Sequence, residues 1–421
     1  MATTVANLNG LFKEVYGDDY IDLVPESAKI VKKVPFVPAD KEEGNQYHQP
    51  VILSYEHGVT YAAADAGAFA LNDAVAMQMG DAQIKGAQIL LRSALPYDVA
   101  AKASSKGKKA FAKATELIVE NMLESVTKRL ELSYLYGGSV TGIGNPTTSA
   151  NVDATHTVIT ISLLTWSAGI WAGLENATID VLDAGAVVNT TGAVTIDSID
   201  LDARTLTVSA VAGDITAIDG VTFTTADAIV FRGALAAEMS GIDKIIVNAG
   251  TLFNISAATY KLWKGNTYSA GSAALTFGKV LIGIAAPVLR GLQEDATLYC
   301  NPKTFADLSD DLAALRMYDQ SFKGSQLSIG SESIKYFTQA GVLEVVPHLF
   351  VKEGEAFVLP MKRVKRLGAQ DVSFKTPGRG DEIFDHLSGN AGFELRVYTD
   401  QACFIECPAK CLKITNIVNS T

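Results

Sequence analysis

Three cysteines near the end of the chain stand at a fixed interval of four: Cys403, Cys407 and Cys411 in "CFIECPAKC". On a strand, an even interval would put all three thiols on one face, where they could hold a soft metal ion. Zinc sites draw their ligands from close pairs such as Cys-x-x-Cys. This segment has no such pair and no histidine nearby. The expected state is buried, reduced thiols in a terminal strand, so no metal ligand is assigned. The fourth cysteine, Cys300, stands apart, and a chain of this size does not depend on a disulfide framework.

The other chemistry-bearing residues do not assemble into a site either. The five histidines, His48, His57, His156, His348 and His386, are scattered and form no His-Glu-x-x-His pair. "GGSVTG" places Ser139 in a setting close to a nucleophile elbow, but Thr141 stands where the final glycine belongs. "SSKGKK" lacks the upstream glycine of a phosphate-binding loop, and "TGIGNP" is half a dinucleotide fingerprint that ends in proline. Asp197, Asp200 and Asp202 in "DSIDLD" miss the spacing and central glycine of a calcium loop. The triplet Arg379, Gly380 and Asp381 matches an adhesion motif by only three residues. No catalytic, cofactor-binding or metal-binding residue is assigned, no cofactor is expected, and the chain reads as a protein that is not an enzyme.

A chain of 421 residues predicts about two or three domains. With 48% hydrophobic and 19% charged residues, it has the composition of a folded globular chain. The net charge of −11 gives no bulk attraction to nucleic acid. That charge is unevenly spread. Between Ala150 and Ser240 eleven acidic residues face only Arg204 and Arg232, which is −9 of the −11. Basic residues cluster elsewhere, at Lys106, Lys108, Lys109 and Lys113 and again at Lys362, Arg363, Lys365 and Arg366. A segment with its own charge and its own β pattern reads as an inserted domain. The N-terminus lacks the basic and apolar regions of a secretion signal, so the expected origin is intracellular. The apolar run from Thr157 to Leu174 is rich in β-branched residues, Ser and Gly, and is expected to form buried strand and turn rather than a membrane span.

The elements that would position such residues follow a distinctive order. Residues 1 to about 45 lack periodicity and carry Pro25, Pro35 and Pro38, as an extended arm would. From Gln49 to about Ala103 the pattern is that of a long two-stranded loop. Phe111 to Tyr136 then runs for twenty-six residues without glycine or proline before Gly137 and Gly138. Phe111, Ala114, Ile118, Met122, Val126 and Leu130 recur at three and four, one apolar stripe for packing on the chain's own sheet. Glu124 and Lys128 form an i,i+4 pair on its flank. The acidic segment offers short strands, with a hairpin around "DLDAR" in a small barrel or sandwich. At Asn301 and Pro302 an N-cap residue and a first-turn proline mark a strand-to-helix junction.

Arm, long loop, solitary helix, mixed domain and closing strands in "FELRVYTDQACFIECPAKCLKITNI" resemble the major capsid protein of tailed bacteriophages. The wording adds to the order: "VLRGLQEDATLYCNPKTFADL" resembles that family's helix, strand and Asn-Pro-led helix. "GTLFNISAATYKLWKGN" is similar to the stretch that follows an insertion domain in some of its members.

The resemblance implies an α+β, HK-ninety-seven-like fold. Its parts would be an N-terminal arm (1–48), an extended loop (49–103), and a spine helix opening the peripheral domain (104–150). An acidic, all-β insertion domain (151–240) would follow, then the peripheral continuation (241–295), an axial domain (296–367) and a return with C-terminal strands (368–421). It further implies a structural subunit that self-assembles as hexamers and pentamers into an icosahedral capsid around double-stranded DNA, contacted without sequence readout by the basic clusters. Expected partners are further copies of the chain, a scaffolding protein, a portal and a decoration protein on the insert. No membrane is expected, and the expected location is the virion, assembled in the host cytoplasm. Some relatives join subunits by an isopeptide bond; Lys85 and Asn390 have the residue types, but nothing assigns them. The alternatives are an encapsulin-like nanocompartment shell and, in another class, an adhesive surface protein using the acidic domain.

Overall fold

The computed structural model describes residues 28–38, 46–96, 109–316, 334–374, 384–386 and 391–420. Its longest element is the helix Lys109–Tyr136, 28 residues or about 42 Å at 1.5 Å per residue. Two glycines end it for different reasons. Gly138 takes φ +61°, a left-handed conformation that favours glycine. At Gly137 a Cβ would sit 2.3 Å from the Met239 carbonyl oxygen, so only glycine permits that approach.

The two halves of this helix are buried differently. In the middle, Met122 and Val126 pack with Leu395, Val397 and the half-buried Leu91, on the chain's own sheet. Toward the C-terminus, Leu130, Leu132, Tyr134, Leu135 and Tyr136 are all buried, so the last turns are apolar nearly all round and enclosed by core. Fully burying each such side chain stabilises the fold by about 1.5–3 kcal/mol. Phe111 and Ala114, the first two members of the stripe, lie outside the described side chains. Lys128 donates to the Ala172 carbonyl at 2.6 Å and lies over the Phe350 ring, on the flank expected to pair with Glu124.

Three sheets surround the helix. A five-stranded sheet orders Phe36–Pro38, Val364–Ser373, Gly392–Ile405 and Phe384–His386, with Ala87–Pro96 also paired to Gly392–Ile405. That last pairing is a ten-residue antiparallel ladder from Ala87 opposite Gln401 to Pro96 opposite Gly392. A six-stranded sheet orders Asn266–Ala273, Leu412–Ile417, Ala356–Leu359, Ala296–Cys300, Val342–Pro347 and Ile334–Phe337. Its strands come from well-separated parts of the chain, with Asn266–Ala273 and Leu412–Ile417 at one side of the sheet. Asn301 caps the helix Pro302–Arg316 as expected: its side-chain oxygen accepts from Lys303 N at 3.0 Å, while its amide donates to the Val351 carbonyl at 2.8 Å.

The acidic segment contributes a seven-stranded sheet. The hairpin around "DLDAR" is present, with Val194–Asp200 antiparallel to Thr205–Ser209. The strands make one open sheet rather than a small barrel or sandwich. Their inward residues explain this: Ile159, Ile161, Val181, Val194, Ile196, Leu206 and Val208 join the same buried cluster as Leu130, Tyr134, Trp171 and Phe350. The sheet therefore closes its apolar face on the rest of the chain, and no second sheet is needed to cover it. The run from Thr157 to Leu174 forms a strand, a short 3-10 turn and the helix Ala168–Trp171. Among the described residues no helix is long and apolar enough to cross a membrane.

Candidate assembly surfaces

The residues singled out for chemistry are placed apart. Cys403 lies in the strand Gly392–Ile405, whereas Cys407 and Cys411 flank the 3-10 turn Pro408–Lys410. Pro408 begins that turn, so the three thiols do not share a strand face as the even spacing had implied. Burial pushes the Cys300 and Cys403 thiols up to about 12 and that of Cys411 higher still. Thiols held neutral in this way are poor metal ligands. Among the described residues no three His, Cys, Asp or Glu side chains converge as a metal site.

Three of the histidines have separate local partners, and none of these three meets another. His48 lies 2.6 Å from Asp81 on the exposed hairpin, and His156 2.8 Å from Asp153 in the turn between two strands of the seven-stranded sheet. His348 is buried against Glu131. The His386 side chain, Arg379, Gly380, Asp381 and Asn390 lie outside the described residues. Asp200 accepts from the backbone of Asp202 and Ala203, and Asp197 from Ser209, so two of the three carboxylates of "DSIDLD" fasten their own hairpin.

Ser139, the near-elbow serine, serves a buried ionic network. Its hydroxyl donates to Asp243, which also pairs with Lys413, and Lys413 lies 2.9 Å from Glu355. Burial opposes the charge on Lys413, yet Glu355 and Asp243 together outweigh it and hold the ammonium above the usual lysine range. Next to this pair Lys352 is fully buried and donates to Thr141 Oγ1 at 2.8 Å and to the Gly142 carbonyl at 2.9 Å. Two lysines and two carboxylates leave the interior neutral, and the network bolts the turn after the long helix to the six-stranded sheet.

Two elements set how the chain can meet other molecules. One is the arm, whose described residues are bound to the body. Its described end, Lys29–Lys33 and Phe36–Pro38, is clamped: Glu131 accepts from Ile30 N at 2.7 Å and Val31 N at 2.9 Å, and Arg366 donates to the Val31 carbonyl at 2.8 Å. Phe36–Pro38 then adds as a parallel edge strand beside Arg366–Gly368.

The other is the extended loop. Tyr47–Ser54 and Gln78–Ile84 pair as an antiparallel hairpin, and the chain between them is tied by His57 N to Val75 O at 3.1 Å and Asn72 N to Thr60 Oγ1 at 2.8 Å. Large apolar side chains on it face solvent: Tyr61 is 91% exposed, Leu71 79% and Tyr55 78%, with Phe69, Met77 and Met79 also exposed. So many large apolar side chains exposed on one loop mark an interaction site. The arm clamp could not have been foreseen from spacing, but the loop could, since its length and apolar content are visible in the sequence.

The second basic cluster also has internal work. Arg363 pairs with Glu294 and Glu406, Lys365 with Glu406 at 2.6 Å, and Arg366 with Asp371 at 2.7 Å. Only Lys362 of that cluster is exposed. The side chains of the first cluster lie outside the described residues.

Neither a protein-family model nor a curated protein matches the sequence. Solved structures do. The capsid asymmetric unit of cyanophage A-1(L) aligns over 99% of both chains with a TM-score of 0.58 and 11% identity. The capsid of the empty GTA particle covers 99% of this chain and 100% of its own at a TM-score of 0.51 and 8% identity. The capsid of the native GTA particle does so at 0.50 and 9%. With near-complete coverage in both directions, the chain has the α+β, HK-ninety-seven-like fold of tailed-phage major capsid proteins.

Proposed function

We propose that this chain is the structural subunit of a closed viral shell, a major capsid protein that self-assembles as hexamers and pentamers around double-stranded DNA. The observation that carries the reading is the extended loop, whose exposed tyrosines, Phe69 and Leu71 have no partner within the described chain and are held on a hairpin that projects from the body. A shell made from one polypeptide needs large heterologous contacts, and a projecting apolar loop with an anchored arm supplies them. In this reading the arm and loop embrace neighbouring copies, and the long helix stiffens the peripheral domain. The six-stranded sheet forms most of the axial domain at the capsomer centre, and the acidic sheet faces outward. The role is structural and needs no catalytic residue.

Assembly with a separate scaffolding protein, incorporation of a portal, a decoration protein on the acidic sheet and formation of the virion in the host cytoplasm belong to the same reading. Electron microscopy and light scattering of the purified chain, alone and beside its neighbouring gene products, test it. Closed shells, rings of five or six, or tubes are the expected outcome. A monodisperse monomer under every condition would sink the proposal. Shells that carry a protein cargo and no DNA would move it to a cellular nanocompartment.

A further inference from the structure

A cavity of about 400 Å³ lies where the long helix, the strand Ala87–Pro96 and the turn after Phe231 meet. Six of its wall residues matter: Gln88, Ser125, Arg129, Phe231, Arg232 and Glu238. The Arg129 guanidinium lies over Phe231, 3.3 Å from the ring centroid, with the Glu238 carboxylate nearby in support of its charge but with no side-chain hydrogen bond to it among the described residues. Burial pulls its pKa down to about 10, which is the cost of holding an incompletely solvated cation. Glu238 is already engaged, accepting from Ser133 Oγ at 2.5 Å. Arg129 and Arg232 against Glu238 leave the wall with one net positive charge. A planar fork of donors stacked on an aromatic ring is shaped to take a carboxylate in two-point contact.

The extended loop offers the complementary chemistry. Between Tyr55 and Met77 its charged residues are Glu56, Asp65 and Asp73, with no lysine or arginine. Asp65 is exposed at the apex, in the turn closed by Ala66 N to Ala63 O at 3.1 Å and passing through Gly67 at φ +60°. Tyr61 and Phe69, both exposed, flank it.

We propose that the Arg129 cavity of one copy receives the loop apex of a second copy, with the Asp65 carboxylate on the Arg129 guanidinium. The inference rests on the shell reading above and names the contact within it. The loop cannot serve its own cavity. The strand Tyr47–Ser54, eight residues, carries the chain about 26 Å from the hairpin foot at about 3.3 Å per residue, and the apex lies beyond its end. The cavity wall begins at Gln88, four positions past the foot residue Ile84. The occupant therefore comes from another chain, and each copy is both donor and acceptor, the heterologous arrangement that closes rings.

Cysteine trapping tests this in assembled particles. Ser125 is exposed on the cavity wall. Chains carrying Asp65→Cys and chains carrying Ser125→Cys, both in a Cys407→Ser background, are co-expressed, assembled and oxidised. The expected result is an interchain disulfide between the two variants in shells, absent from dissociated subunits, since the bond needs Cα atoms within about 7 Å. Separately, Asp65→Asn is expected to raise the subunit concentration needed for shells about tenfold, the equivalent of about 1.4 kcal/mol. Shells that form normally without the 65–125 bond, and that tolerate Asp65→Lys, overturn the inference and leave the shell reading standing. Parent subunits that never close overturn both.

Discussion

Glu131 and His348 meet in the interior with neither side chain exposed, Glu131 Oε1 lying 2.7 Å from His348 Nε2. His348 Nδ1 accepts from Phe350 N at 3.1 Å, so the proton sits on Nε2 and is donated to the carboxylate. The same carboxylate accepts from Ile30 N and Val31 N. One side chain of the long helix thus holds the arm on one side and the chain entering the six-stranded sheet's core on the other.

Glu131→Ala would leave three donors without an acceptor, two of them buried and Val31 N half-buried, a loss expected to cost about 3–5 kcal/mol. Glu131→Gln keeps one carbonyl oxygen and should fall between. Chemical denaturation measures the stability, and trypsin cleavage at Lys29, Lys32 and Lys33 reports release of the arm. An alanine variant as stable as the parent, with an arm no more easily cut, would contradict this role.

Arg366 fastens the same arm from the other side. It donates to the Val31 carbonyl, to Gln401 Oε1 at 2.9 Å and to Asp371 at 2.7 Å. Arg366→Lys preserves the charge but not the planar fork. The expected cost is about 2 kcal/mol, with hydrogen bonds to charged groups at about 1.5–3 kcal/mol each. Hydrogen exchange at Val31 to Val34 and in Phe36–Pro38 should quicken, while exchange in the seven-stranded sheet stays unchanged. Uniform acceleration throughout the chain would mean that Arg366 supports the whole fold rather than the arm.

The contrast between these clamps and the rest shows what could be read in advance. The long helix, the hairpin around "DLDAR" and the Asn301–Pro302 junction are local: periodicity, turn residues and caps specify them within a few positions. The elements' order was enough to point to the fold. Glu131 left only a faint trace, a lone acid in the apolar run "RLELSYLY", and its partners lie about 100 and 217 positions away. Lys352 and Lys413 are similar, since each sits in a β-rich stretch and only the folded chain brings Thr141, Asp243 and Glu355 to them. The pairing of Asn266–Ala273 with Leu412–Ile417 was illegible for the same reason, since the two strands are neighbours only in space.

Thiol reactivity should separate the four cysteines. Cys300, Cys403 and Cys411 are buried, with thiols pushed up by that burial, and Cys407 is partly exposed. Reaction of the native protein with Ellman's reagent near neutral pH is expected to label one thiol quickly and the other three only after unfolding. A Cys407→Ser variant should lose the fast phase. Rapid labelling of three or more would mean that the C-terminal strands open readily.

Alkaline pH should first stabilise and then destabilise the subunit. Burial draws the fully buried Lys352 down to about 8 from the ordinary lysine value of 10.5. Between those values the unfolded chain holds the proton that the folded chain has given up, so stability rises with pH. For Lys352 the rise from pH 8 to 9 is about 1 kcal/mol, with one pKa unit worth 1.36 kcal/mol. Lys128, also drawn to about 8 by burial, acts in the same direction. The buried thiols oppose them. Cys300 and Cys403 are raised from 9.0 to about 12, so from pH 9 upward the folded chain holds the extra protons and stability falls. Urea midpoints under reducing conditions are therefore expected to pass through a maximum near pH 9. Lys352→Met, similar in length and without the charge, should remove the Lys352 share of the rise between pH 8 and 9, keep that of Lys128 and leave the decline above it. If parent and variant show the same rising limb, the proton lost near pH 8 does not belong to Lys352.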